Sequence, residues 1–168
     1  MTNLSTKVHC DTFKGVRVVS PLLYAFEFMS IAGNGTSDYD FLKEYAKNKA
    51  WDFDLNMVLD FIKLRENTVV ITCPKEKIQW VNKGFTRMTG YGFNEAVGKS
   101  PNFLQGKETS LVTRQLIRES LNLRAPFSGK VINYRKDGDS YLCRVDILPV
   151  FNRDNVLSNF IALEHELV

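Results

Sequence analysis

The sequence predicts an α+β fold: a five-stranded antiparallel sheet with short helices on one face, preceded by an α-helical N-terminal extension. Three observations carry that expectation. Through residue 65, helix start and stop residues bracket apolar side chains spaced three and four apart. From Thr68 the pattern changes to β-branched runs broken by turn residues. The last third of the chain reads as three long strands joined by two polar turns.

The first helix is expected at residues 22–31, where Ser20 is a good N-cap, Pro21 suits the first helical position and Gly33 stops the run. Glu27 is its one charge, so it should be buried on more than one side. A second helix follows the cap Ser37 and carries Tyr39, Phe41, Leu42, Tyr45 and Ala46 on one face. A third is expected from Asp54 to Glu66, with Leu55, Val58, Leu59, Ile62 and Leu64 at helical spacing and Asp52 and Asp54 near its positive end.

Val69 to Cys73 then reads as a strand broken at Pro74, with Lys77 to Val81 as its hairpin partner. Short helices are expected at Asn82 to Gly90 and Glu95 to Val97, and a longer one from Thr109 to Leu123. Strands from Ala125 to Tyr134, Asp139 to Phe151 and Val156 to His165 close the domain, turning at residues 136–139 and 152–155. The sheet should cover one side of a ligand-sized cleft.

At 168 residues the chain has room for one core plus an extension, split here as 1–65 and 66–168. Its 44% hydrophobic and 24% charged residues exclude wholesale disorder. A net charge of +3, with the basic residues dispersed, argues against nucleic-acid binding. No stretch is long and apolar enough for a membrane span or a signal peptide, so the expected location is cytoplasmic, away from membranes. Cys10, Cys73 and Cys143 are widely spaced and read as free thiols, and His9 and His165 as surface residues. No nucleophile triad, phosphate loop or kinase signature is present, and Gly33-Asn34-Gly35 lacks a third glycine, so catalysis is not expected. Met1 at one end and Val168 directly after the last strand suggest a short, complete protein without its own effector.

Four segments stand out in order along the chain: Trp80 to Tyr91, Gly98 to Gly106, Val131 to Gly138 and Asp146 to Val150. They resemble, in order, the motifs of the PAS sensory family and of its flavin-binding LOV branch. The LOV signature Gly-Arg-Asn-Cys-Arg-Phe-Leu-Gln-Gly is similar to Gly98-Lys99-Ser100-Pro101-Asn102-Phe103-Leu104-Gln105-Gly106, with Pro101 in place of the thiol that forms the light-driven flavin adduct.

The resemblance implies a partly retained site for flavin mononucleotide. Gln105 matches the signature glutamine, Arg118 the helix arginine that meets the phosphate, and Asn133 the first strand asparagine on the pyrimidine edge. Thr72, Phe103 and Leu104 are further implied lining residues. Asn102 stands for the second phosphate-binding arginine, Ser100 for an asparagine, Cys143 for the second strand asparagine, and Glu164 for the last-strand glutamine that responds to light. Without an adduct, photochemistry would rest on flavin reduction by Trp80, Tyr134 or Tyr141, with Glu164 as proton acceptor or donor.

Plainer readings stand beside these. Gln105 and Asn133 also suit backbone satisfaction, Arg118 a solvated helix, Cys143 and Trp80 the core, and Glu164 an exposed strand end. Two functions therefore stay open. The first is a PAS signalling module acting through protein contact or dimerisation, with an empty or differently filled cavity, placed ahead because so many flavin contacts are substituted. The second is a non-covalent flavin sensor of light or redox state. A homodimer through the N-terminal helices or the sheet face is expected, with an effector protein that the sequence does not identify. Which ligand the cavity takes is likewise left open.

Overall fold

The computed structural model describes residues 37–168. The expected helix at 22–31, with His9 and Cys10, lies outside the described residues.

Five strands form one antiparallel sheet: β1 (Thr68–Thr72), β2 (Ile78–Val81), β3 (Phe127–Tyr134), β4 (Ser140–Phe151) and β5 (Leu157–Glu166). Their spatial order is β2-β1-β5-β4-β3, so the last strand inserts beside the first. Every residue of β1 is buried, as its unbroken β-branched run requires, because helices cover both faces of the sheet there. Gly138 (φ +98°) and Asn155 (φ +57°) supply the left-handed residues of the two long hairpins. In the second hairpin, Asn152 Oδ1 accepts from the amides of Asp154 and Val156.

On the outer face lie α1 (Asp38–Asn48), capped by the Ser37 hydroxyl, and α2 (Asn56–Phe61). Phe41, Leu42, Tyr45, Trp51, Val58 and Leu59 pack there on Val69, Ile71, Trp80, Val150, Ile161 and Leu163. Phe41 stacks on Trp80 with ring centroids 4.8 Å apart and 8° between planes. Residues of α1, α2 and the turn between them thus serve as part of the same core.

The third expected helix is shorter than its apolar spacing suggested, ending at Phe61 and not near Glu66. The Asn67 side-chain amide donates to the Phe61 carbonyl and the Asn67 backbone amide to Leu64, so the chain turns toward β1. Leu64, expected on the buried face, is therefore 63% exposed.

On the inner face, α3 (Lys83–Thr89) starts at Asn82, whose Oδ1 accepts from Phe85 and Val69 while its Nδ2 donates to the Asn67 carbonyl. Gly90 ends this helix in the left-handed conformation. Then come α4 (Phe93–Ala96), a 3₁₀ turn (Pro101–Leu104) and α5 (Leu111–Asn122), capped by Ser110. Among the described residues no helix is long and apolar enough to cross a membrane, and no three His, Cys, Asp or Glu cluster as a metal site.

Candidate functional site

The segment that crosses the inner sheet face is pinned at both ends. Gly98, at φ +85°, donates to the Ile78 carbonyl, and the Ile78 amide donates to Lys99. Pro101 then opens the 3₁₀ turn, where its fixed φ suits the first position and its missing N–H costs nothing. At the far end Gln105 pairs with Asn133 of β3 in an isolated antiparallel bridge. The Thr109 hydroxyl donates to the Ile132 carbonyl at 2.5 Å and accepts from Gly106 N at 3.0 Å.

Between this segment, α5 and the sheet lies a cavity of about 80 Å³. Its walls are mostly apolar: Val70, Leu104, Ile117, Leu121, Val131, Val145, Ile147, Phe160 and Ala162. Thr72, Glu76, Ser100, Pro101, Asn102, Gln105, Asn133 and Glu164 also line it. A second cavity of about 150 Å³ adjoins it, lined by Glu76, Asn102, Gln105, Arg114, Ile117, Arg118 and Leu121.

Glu164 is buried in β5, not exposed at a strand end, and burial pushes its carboxyl up to about 7. The Cys143 thiol, 3.9 Å from Oε2, offsets this only weakly. Burial, with the Glu164 carboxylate as the next cause, lifts the Cys143 thiol far above its ordinary range, so it is an inert neutral group. The Tyr141 phenol is raised by the same two causes in the same order. Its hydroxyl is buried and completes no hydrogen bond among the described residues; the cross-strand Asn133 amide moderates the shift without reaching bonding geometry. Of these three groups, Glu164 alone titrates near neutral pH.

The structure gathers Thr72, Ser100, Pro101, Asn102, Leu104, Gln105, Asn133 and Glu164 around the first cavity and places Arg118 at the second. Two of the expected residues line neither. Phe103 turns away to meet Tyr91 edge-on at 5.0 Å, under the Lys99 ammonium. Cys143 sits behind Glu164, packed with Met88, Val131, Tyr141 and Val145.

The expected electron donors also divide. Trp80 pairs with Ile71 on the outer face, so the sheet separates it from the cavity. Tyr134 turns its hydroxyl to accept from Glu108 N, while Tyr141 stays on the cavity side beside Cys143. Sequence reasoning passed over Arg114. It lies one helical turn before Arg118, a spacing that puts both guanidinium groups on one face.

Residues 66–167 match the family described as "PAS domain". The chain is 35% identical over 96 residues to phototropin-1A of Oryza sativa subsp. japonica, covering 57% of this chain and 10% of that protein. It is 32% identical over 115 residues to a blue-light photoreceptor of Listeria monocytogenes, covering 67% of this chain and 45% of that one. A nitrogen fixation regulatory protein of Klebsiella oxytoca is 30% identical over 99 residues, covering 59% and 20%. The chain thus spans less than half the length of these relatives. A structure from work on a flavin analogue and the light-oxygen-voltage domain mechanism superposes with a TM-score of 0.62 at 25% identity, covering 70% of this chain and 87% of that one. The light state of the blue-light photoreceptor Aureochrome1 LOV gives 0.58 at 25% identity, covering 60% and 81%.

Proposed function

The chain belongs to the PAS domain family, and from that premise we propose that it signals through protein–protein contact or dimerisation, without a cysteinyl–flavin adduct at Pro101. One observation carries this reading. The cavity wall presents Pro101, which has no thiol, and encloses about 80 Å³, well below the roughly 300–1,000 Å³ of most ligand pockets. Glu164 places a carboxyl at its polar end, where an ionised form is costly unless paired.

The partner surfaces follow from what the fold covers. Residues from α1 and α2 occupy the outer face over β1, β2 and β5. Homodimerisation would therefore use the remaining outer strip of β3 and β4, or the chain before residue 37. An effector protein and a cytoplasmic setting complete the proposal.

A second reading, non-covalent binding of flavin mononucleotide with light or redox signalling, draws on one observation: Gln105, Asn133 and Arg118 border adjoining cavities. As shaped, the inner cavity is too small for a three-ring heterocycle, and Trp80 lies across the sheet from it. The inner cavity as shaped therefore does not fit that group.

The test is a visible absorption spectrum of the purified protein before and after blue light, with flavin mononucleotide added to a second aliquot. A colourless protein that takes up no flavin, and sediments as a dimer, supports the contact-signalling reading. A flavin band that bleaches under light would replace it with the second.

A further inference from the structure

Two irregularities sit close together on the inner face of the sheet. Glu164 is 6% exposed, and no cation pairs with its carboxyl among the described residues. Tyr141, 4% exposed, carries a hydroxyl that completes no hydrogen bond there. A buried donor without an acceptor is costly, and so is a buried carboxylate without a donor. Once Glu164 is ionised, each group supplies what the other lacks.

We propose that Glu164 is a proton switch: on losing its proton to water it takes the Tyr141 hydroxyl as donor, and Tyr141 passes the change to the Arg135–Glu166 ion pair at the end of β5. The switch names what regulates the contact-signalling module and rests on that reading only for its output.

The route is continuous. Tyr141 and Cys143 share one face of β4 with Glu164 and Glu166 of β5, Cys143 standing opposite Glu166 and Val145 opposite Glu164. The Arg135 guanidinium carbon lies 4.6 Å from the Tyr141 ring centroid. One of its amino groups donates to Glu166 Oε1 at 2.5 Å and the other to the Met88 carbonyl of α3. Glu164 and the Tyr141 hydroxyl are not bonded now, so their meeting moves the ring beneath Arg135. The guanidinium then follows the ring or leaves Glu166. Beyond Glu166 the chain is held by Leu167 N, which donates to the Leu142 carbonyl at 2.8 Å.

No other charge competes for Glu164. β1 sets Thr68 opposite it, while β3 and α3 add Asn133 and Met88. The segment from Gly98 to Gly106 and α5 present only neutral side chains to its cavity. The titratable groups facing it are Tyr141 and Cys143, which burial first and the Glu164 charge second keep protonated. Glu76, from the turn between β1 and β2, is the one other ionisable residue lining the cavity, and Arg114 and Arg118 line the second cavity instead. Burial therefore dominates and holds the carboxyl near 7. The cavity has room for at least two waters, which complete the solvation of an ionised carboxylate and receive its proton.

The experiment is an NMR titration of the whole labelled protein from about pH 4.5 to 8.5, following carboxyl carbons and backbone amides. The expected result is a Glu164 carboxyl that titrates near 7, with Arg135, Tyr141 and residues 166–168 shifting at the same midpoint. In Glu164→Gln those amide shifts should vanish. In Tyr141→Phe, which removes the donor alone, the Glu164 midpoint should rise by about one pH unit or more. The proposal is overturned by a Glu164 that titrates with the surface carboxylates, by a titration near 7 that leaves Arg135 and Glu166 still, or by an unmoved midpoint in Tyr141→Phe. The wild-type titration decides the first two even where a variant fails to fold. Sedimentation at about pH 5.5 and 8.5 separates the switch from its output. A dimer equilibrium that shifts with pH, and no longer does so in Glu164→Gln, upholds both. An unchanged equilibrium with the Glu164-linked shifts intact upholds the switch and removes the dimer as what it controls.

Discussion

Glu164 Oε2 lies 3.9 Å from Cys143 Sγ, and that thiol is the one group offsetting the burial of the carboxyl among the described residues. The carboxyl is consequently held near 7, against 4.5 in the unfolded chain. Below pH 4.5 both states are protonated and the native state carries no penalty. As pH rises toward 7 the unfolded chain ionises first, so stability falls through that window and levels off above it. The shift corresponds to roughly 3 kcal/mol. Glu164→Gln keeps the shape and removes the charge. Urea denaturation should find the variant close to wild type at pH 4.5 and more stable by up to about 3 kcal/mol at pH 8. Equal stability differences at the two pH values would show that Glu164 does not titrate in this window.

Asn159 is fully buried on the outer face and hydrogen-bonds five groups, the Ser158 hydroxyl among them. Its Nδ2 donates to the Thr72 carbonyl at 3.0 Å, Gln79 Oε1 at 2.8 Å and Tyr45 Oη at 3.2 Å, while its Oδ1 accepts from Trp51 Nε1 at 3.0 Å. Asn159→Leu would strand several of these partners without water. The expected loss is about 3 kcal/mol or more, measured by chemical denaturation. Ser158→Ala, which removes a half-buried hydroxyl from the same network, should cost less than about 1 kcal/mol.

Much of this arrangement was legible in the residues. The β-branched runs and polar turns marked the five strands, and the Ser37 cap fell where a helix begins. Sequence patterning could not show which sheet face each side chain takes where the register breaks. β2 pairs Ile71 with Trp80 but Thr72 with Ile78, so Gln79 bulges outward and Trp80 faces α1, away from the cavity. The shortened α2 was hidden because Asn67, which turns the chain, lies beyond the helix whose carbonyl it takes. Arg114 was missed because an arginine one turn before another reads as a solvated face until the opposite wall is known.

Leu42 is fully buried between α1 and the sheet, within the cluster that also holds Ile71 and Ile161. Leu42→Ala should therefore cost about 2–5 kcal/mol, as for other core truncations. Because Trp51 and Trp80 belong to the same cluster, tryptophan fluorescence and far-ultraviolet circular dichroism should report one coincident transition. Two separated transitions would mean that the helical layer unfolds independently of the sheet.

Gly106 closes the signature segment, and its role is close approach: a Cβ there would stand 2.3 Å from the Tyr134 ring. A ring cannot yield as a flexible side-chain end can. Gly106→Ala must displace Tyr134, whose hydroxyl accepts from Glu108 N, and disturb the carbonyl that holds Arg114. The expected loss of stability is about 1–3 kcal/mol, the range of overpacked sites. A double-mutant cycle isolates the cause. In a Tyr134→Ala background the ring is gone, so Gly106→Ala should add much less than it costs alone. Full additivity would place the requirement for glycine in the backbone, and the coupling between this segment and β3 would then rest on the Gln105–Asn133 bridge and Thr109.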